Sequence, residues 1–461
     1  MMKNDPHRAV IAISTPPGKG GVALLRLSGD GAFEIADRVF FPMNRKKLSE
    51  CPLRTQIYGR VMREGEAIDD GMATRFAAPH SYTGEDTVEI TCHGGVLLTR
   101  TVLEAFLFAG AAPAAAGEFT RRAFLNGKLS LTEAEAIGLL LDAKSHAQLT
   151  LTERGARGRL SDALLGIEGE LTHLLSSIFA RIDYPEEDLG EFSDEETAEK
   201  LRDILARVNS LLATYKTGRA VTEGISAVIA GKPNVGKSSL YNLLLGEDAA
   251  IVTDIPGTTR DVLERTVPLG RVLLRLYDTA GIRETDDPIE RIGVCRSKEK
   301  IASADLIFLL FDTTRPLDEE DRALADAALA SGATVLALAT KSDLDAVWEP
   351  SALSESFSEV IPFSCKKGDL APLAATVDRL FTDGTLNLSE DPVLFSARQY
   401  TTLAEVGKHL SLSFDAYAAG VPTDAASSDV EVALSYLSEL TGKNVTEEVV
   451  QDIFSRFCVG K

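Results

Sequence analysis

A single tryptophan and five cysteines among 461 residues already narrow what this chain can be. Cys51, Cys92, Cys295, Cys365 and Cys458 are odd in number, widely scattered and without a C-x-x-C pair. That pattern argues against a disulfide framework or a thiolate metal site and fits a reducing cytosol. Long apolar runs are missing too. The earliest one, Ala9 to Ile13, stops at Pro16-Pro17-Gly18, too short for a secretory leader or a membrane span, so a cytoplasmic protein is expected. Basic charge is scarce: 48 Lys and Arg against 69 Asp and Glu give a formal charge of −21. Such a surface repels nucleic-acid phosphates over most of its extent, so any RNA contact has to be a local patch. No internal repeat or low-complexity tract is present.

What is there divides by texture. The length exceeds one ordinary hydrophobic core and predicts several domains. Over residues 1–124, short β-branched runs such as Val88-Glu89-Ile90-Thr91 alternate with Gly and Pro turns, and a helical stretch follows Gly95, which reads as a small α+β domain. Over 125–220 apolar residues recur at helical spacing, opened by a capping signal at Thr132 and Glu135 and continued by Leu164, Leu171, Leu175, Ile178 and Ile182. Pro185 stops that run, and Leu201, Leu205, Val208, Leu212 and Tyr215 resume it. Over 221–383 strand and helix patterns alternate, with buried strands expected at Ile225 to Ala230, Leu273 to Tyr277, Leu306 to Phe311 and Val335 to Ala339. This alternation predicts a mostly parallel sheet. Helical periodicity returns over 384–461, so the expected architecture is an α/β domain inserted into an all-α domain, preceded by the α+β domain.

The α/β segment carries chemistry. Gly231-Lys232-Pro233-Asn234-Val235-Gly236-Lys237-Ser238 matches the phosphate-loop pattern and lies between a strand and a helix pattern, the context that makes the match specific. Its glycines let backbone N–H groups approach phosphate oxygens, Lys237 reaches the β- and γ-phosphates, and the Ser238 hydroxyl suits Mg²⁺, with Ser239 following. Four more elements follow in the order a GTPase needs. Gly257-Thr258-Thr259 places a hydroxyl, Thr259, to complete Mg²⁺ coordination. Asp278-Thr279-Ala280-Gly281 puts a carboxylate behind the metal and an N–H at the γ-phosphate. In Thr340-Lys341-Ser342-Asp343, the last carboxylate can accept the N1–H and 2-amino hydrogens of guanine, which adenine cannot supply. Ser364-Cys365-Lys366 would cover the base edge. Ile282 stands where many small GTPases have a water-orienting Gln, and Glu284 and Glu290 are the nearby carboxylates that could serve instead. Thr340 stands where the guanine motif usually has Asn, which predicts weaker base affinity with selectivity kept by Asp343. The Asn234 carbonyl could help hold a monovalent cation.

With these motifs in place, the chain closely resembles the MnmE (TrmE) family of tRNA modification GTPases over essentially its whole length. The specific marks are Thr15-Pro16-Pro17-Gly18-Lys19-Gly20-Gly21, the run from Gly117-Glu118-Phe119-Thr120 to Lys128, the inserted nucleotide motifs, and Cys458-Val459-Gly460-Lys461. The resemblance implies a homodimer joined through N-terminal domains that bind a tetrahydrofolate derivative of the 5-formyl or methylene type, with Arg26, Glu89, Lys128 and Lys461 as its contacts. It implies an FAD-dependent partner subunit of the MnmG type and modification at C5 of the wobble uridine of certain tRNAs. It also implies a K⁺-dependent GTPase. Asn234, Thr253, Ile255 and Thr258 would surround the K⁺, the loop Thr253-Asp254-Ile255-Pro256 would lie over the nucleotide, and Glu290 rather than Glu284 would orient water. Cys458 matches the family's terminal cysteine, for which a role in the modification and a small packing role are both open. The competing reading is a ribosome-assembly or regulatory GTPase switch. Such proteins usually carry a basic RNA-binding module, and the acidic charge here opposes one.

Overall fold

The computed structural model describes residues 7–184, 192–246, 264–277, 304–353, 356–357 and 359–461. By internal packing the chain divides into two compact units. One comprises Met1–Leu141, Gly155–Ser176 and Glu431–Lys461, and the other Asp142–Arg154 and Ser177–Val430.

The first unit is built on a seven-stranded sheet of order β3-β4-β5-β6-β2-β1-β7. Its strands are β1 (Val10–Ile13), β2 (Val22–Ser28), β3 (Phe40–Pro42), β4 (Ile57–Arg63), β5 (Glu66–Phe76), β6 (Thr87–His93) and β7 (Ala112–Pro113). Helices α1 (Ala32–Val39) and α2 (Val96–Phe108) share one core with it, made by Leu25, Leu27, Ile90, Phe40 and Phe106 among others. Alternation puts Val10 and Ala12 of β1 into a separate cluster with Phe119 of α3 (Glu118–Leu125). Helix α4 (Leu131–Leu141) follows, and here the sequence reading needs correction. The capping pair is Ser130 and Glu133, not Thr132 and Glu135: the Glu133 N–H donates to Ser130 Oγ at 3.2 Å and the Ser130 N–H to Glu133 Oε2 at 2.5 Å. Leu131 and Thr132 are already helical and buried, so the start falls two residues earlier. Of the helices that follow, α5 (His146–Ala156) falls mostly in the second unit, α6 (Arg159–Asp183) is divided between the two, and α7 (Asp194–Thr222) belongs to the second.

In the second unit, six strands run in the order β13-β12-β11-β8-β10-β9: β8 (Ile225–Gly231), β9 (Glu264–Leu269), β10 (Val272–Tyr277), β11 (Leu306–Asp312), β12 (Thr334–Thr340) and β13 (Val360–Pro362). All neighbours are parallel except the edge pair β9 and β10. Pro268 lies in that edge strand, where a missing N–H costs least. Helices α8 (Lys237–Leu245), α9 (Glu319–Leu329) and α10 (Ala371–Phe381) flank the sheet. Strand β11 explains the layering, because every residue of it is buried. Leu306, Phe308 and Leu310 enter the core that contains α8 and α10 residues, while Ile307, Leu309 and Phe311 enter the core of Ala325 and Ala328 of α9.

The chain then returns to helices α11 (Ala397–Ala418), α12 (Thr423–Thr441) and α13 (Glu447–Ser455). Within the second unit α11 packs along α7, with Tyr215 and Tyr400 stacked at 4.5 Å between centroids, so segments on either side of the α/β insertion form one helical layer. Among the described residues no helix is long and apolar enough to cross a membrane.

The return is anchored by a close approach: a Cβ on Gly218 of α7 would overlap the carbonyl oxygen of Leu394. Gly218→Ala is therefore expected to destabilise the chain by about 1–3 kcal/mol through overpacking, read as a lowered urea-unfolding midpoint. An unchanged midpoint would show that the contact yields freely.

Candidate functional site

The phosphate loop joins β8 to α8 at the carboxyl edge of the sheet. Its backbone accounts for its residue types. Gly231 has φ 143°, and a Cβ there would stand 2.7 Å from the Leu310 carbonyl oxygen. Gly236 caps α8 with φ 106°, and Asn234, exposed, takes the left-handed region at φ 63°. Val235 is fully buried and anchors the loop in the core. Lys237, Ser238 and Ser239 form the first turn of α8, where backbone donors have no helical acceptor and the helix dipole favours an anion. The Lys237 ammonium donates to the carbonyls of Gly231 at 2.9 Å and Lys232 at 2.7 Å, which holds the charge over the loop. Ser238 is exposed beside it, a hard oxygen donor suited to Mg²⁺.

The loop that the sequence predicts to read the base leaves β12 beside the phosphate loop. Thr340 is buried, and its hydroxyl lies 2.8 Å from the Val235 carbonyl oxygen and 3.0 Å from that of Phe311. It therefore stitches the phosphate loop to two strand ends instead of facing outward. Lys341 turns the chain at φ 59°, and the Ser342 N–H donates to Phe363 at 3.2 Å. That turn presents Asp343, which is exposed and accepts from Ser364 Oγ at 2.7 Å. This hydrogen bond holds the Asp343 carboxyl below its ordinary pKa and so keeps it an acceptor. Cys365 lies against the phosphate loop, its sulfur 4.0 Å from the Gly236 carbonyl oxygen, and burial pushes its thiol pKa up. Lys366 is exposed next to it. The Lys237 loop, Asp343 and the Cys365 loop thus meet along one edge.

A second charged array lies beneath. Asp312, at the end of β11, accepts from Lys341 Nζ at 2.6 Å and from Thr314. Burial opposes its ionisation, yet these bonds leave its pKa depressed. Lys232 is buried and faces Asp318, Glu320 and Asp321 at the start of α9, and the bond to Asp318 leads the causes that raise its pKa. Sequence reasoning passed over Lys232, since in the motif it occupies an unspecified position. Asp254, Pro256, Gly257, Thr253, Ile255, Thr258, Thr259, Asp278, Thr279, Ala280, Gly281 and Glu290 lie outside the described residues.

A separate cluster forms in the first unit. Arg26 of β2 pairs with Glu89 of β6 at 2.8 Å, and its guanidinium lies 5.0 Å from the Tyr82 ring centre and 5.5 Å from that of Phe119. The Phe119 N–H donates to the Lys461 carbonyl at 3.0 Å, which brings the last residue of the sequence to the same α3 start. Lys128 Nζ donates to Pro79 O at 3.1 Å, in the loop that carries Tyr82. Cys458 is exposed, with its carbonyl accepting from Gly117 at 3.4 Å. Tyr82 had no sequence signal, because only folding brings that loop to Arg26.

Two family models match the chain. The family described as MnmE helical domain matches residues 131–458, and that described as GTP-binding protein TrmE N-terminus matches 9–128. The tRNA modification GTPase MnmE of Moorella thermoacetica is 42% identical over 461 residues, covering 98% of this chain and 99% of that protein. The protein of the same name from Symbiobacterium thermophilum is 42% identical over 459 residues, covering 99% and 100%. The solved structure of Aquifex aeolicus Era bound to GDP and AlF4− aligns with TM-score 0.28 and 24% identity over 41% of this chain and 67% of that one.

The Thr340 geometry makes a prediction. Thr340→Val keeps the shape but removes a buried donor, costing on the order of 1 kcal/mol per lost bond. Fluorescence titration with labelled nucleotides should show GTP and GDP weakened several-fold and alike. A loss confined to guanine over hypoxanthine discrimination would instead place the hydroxyl at the base.

Proposed function

This chain belongs to the MnmE family of tRNA modification GTPases, and from that premise we propose how its own residues divide the work. It is a GTP hydrolase that takes part in tRNA modification. The carrying observation is the single edge that joins the Lys237 loop, Asp343 and the Cys365 loop.

In the proposed site, the phosphate-loop N–H groups and Lys237 bind the β- and γ-phosphates. Asp343, ionised and oriented by Ser364, reads the guanine edge, so a base without the 2-amino group leaves an acceptor unpaired. Lys341, Ser342, Cys365 and Lys366 flank the base. Ser238 and Thr259 would hold Mg²⁺, with Asp278 behind it, and Thr279 to Gly281 would meet the γ-phosphate; the ion's contribution is to neutralise phosphate charge. Asn234, Thr253, Ile255 and Thr258 would hold K⁺, which supplies positive charge where other GTPases use an arginine. The exposed, left-handed Asn234 supports that role, since its amide is free of core packing. Glu290 would orient the attacking water, a task Ile282 cannot perform.

The N-terminal cluster suits a folate. Arg26 combines charge with two aromatic neighbours, the chemistry a ring bearing a carboxylate tail requires, and Glu89, Lys128 and Lys461 complete the set. A tetrahydrofolate derivative bound there would supply the one-carbon unit. We further propose a homodimer through the N-terminal domains and an FAD-dependent partner of the MnmG type, together modifying C5 of the wobble uridine in certain cytoplasmic tRNAs. Cys458, exposed near the same cluster, is assigned a part in that modification.

Two measurements test this reading. Turnover of GTP should be at least about tenfold faster in KCl than in NaCl, and Glu290→Ala should lose most of it, on the scale of a removed water-orienting group. Equal rates in the two salts would remove the cation from the mechanism. In the N-terminal domain, Arg26→Ala combined with Lys461→Ala should abolish binding of 5-formyltetrahydrofolate measured by calorimetry. Unchanged affinity would sink the folate assignment.

A further inference from the structure

Lys232 and Arg315 sit where two recognition loops could be tied together. From the phosphate loop, Lys232 Nζ lies 3.7 Å from Asp321 Oδ2. The other oxygen of Asp321 is 3.4 Å from Arg315 Nη2, and Arg315 Nε is 4.0 Å from Asp312 Oδ2. That same Asp312 oxygen is 2.6 Å from Nζ of Lys341, the residue two before Asp343. We propose that this chain of alternating charges, Lys232, Asp321, Arg315, Asp312 and Lys341, couples the phosphate loop to the guanine loop, with Lys232 and Arg315 as positioning residues for base recognition.

Three features separate this array from an ordinary surface ion pair. Exposed pairs contribute little because water and salt screen them; here the side chains of Lys232, Asp321 and Asp312 are only 8%, 4% and 7% exposed, while Arg315 and Lys341, at 32% and 36%, are partly screened. Asp321 and Asp312 each sit between two cations, so removing one cation shifts the balance felt by the other, which links the members along the array. The array is also braced at each end. Asp318 and Asp321 form the capping box of α9, and Asp318 accepts from Lys232 at 2.5 Å, so the ammonium is fixed to a helix start. On the loop side, the Lys232 carbonyl accepts from Lys237 Nζ, so the residue that carries the strut also fixes the phosphate-binding ammonium. At the far end Lys341 holds its left-handed turn against Asp312, and that turn sets where Asp343 points.

The proposal rests on the assignment of Asp343 to guanine, and the experiment keeps the two apart. The affinities of GDP and inosine diphosphate, which lacks the 2-amino group, are measured for the full chain. The variants are Lys232→Met, Lys232→Arg, Arg315→Met and Asp343→Asn. If the array couples the loops, Lys232→Met lowers the GDP preference by about threefold or more, the scale of energetic coupling between networked residues, although Lys232 lies at the phosphate loop. Arg315→Met does the same without touching either loop, and it carries the test should Lys232→Met fail to fold. Lys232→Arg retains the preference. GDP and inosine diphosphate weakened equally in both Met variants would overturn the proposal and leave Lys232 as a phosphate-loop brace alone. An Asp343→Asn variant with wild-type preference would overturn the guanine-loop assignment itself, and the coupling with it.

Discussion

The burial of β11 on both faces is the constraint from which the nucleotide site follows. A strand whose seven residues all lie inside can only sit in the middle of a sheet covered by helices on both sides. Parallel neighbours β8 and β12 then bring their carboxyl ends to one edge, and whatever follows them meets there. Polar chemistry begins where apolar burial stops: Asp312 closes β11, Thr340 closes β12, and Gly231 opens the phosphate loop. The Thr340 hydroxyl, between the Val235 and Phe311 carbonyls, converts that convergence into a fixed spacing. Loops mount the recognition groups, but the strand order determines that they are neighbours.

Net charge sets the second condition. A chain with formal charge −21 that has to approach polyphosphate must concentrate positive potential locally and keep it from being neutralised at random. Here the ammonium groups are held by defined acceptors. Lys232 faces three carboxylates at a helix start, Lys341 faces the strand-end Asp312, and Lys237 donates to loop carbonyls.

Much of this was legible in the sequence, for identifiable reasons. The buried strands announced themselves as short β-branched or leucine-rich runs, and the phosphate loop as a spaced pattern in the correct strand-to-helix context. The start of α4 misled, because Thr132 and Glu135 repeat the spacing of Ser130 and Glu133, and only the burial of Leu131 and Thr132 distinguishes them. The antiparallel edge strand β9 was hidden behind Pro268, a residue that reads as a break unless the strand is known to lie at an edge. The chain of charges from Lys232 to Lys341 spans 109 positions between its ends, and no local pattern marks which acids face which bases. Thr340 looked like a weakened base contact because the motif comparison gives its type and not its direction.

The last residues of the sequence show the same limit in a different form. Cys458-Val459-Gly460-Lys461 reads as a short tail, yet it is fastened to the N-terminal sheet. Val459 bridges to Ala116, Ser14 Oγ donates to the Gly460 carbonyl at 2.9 Å, and the Lys461 carbonyl accepts from Phe119. Gly460 takes φ 100°, and a Cβ there would overlap the carbonyl oxygen of Ile13, so only glycine fits the approach. Because Phe119 also stands beside Arg26, the packing that seats the tail bears directly on the cluster assigned to folate. The one-carbon site proposed at residues 26, 89, 128 and 461 would therefore draw on segments far apart in the sequence that enter one unit.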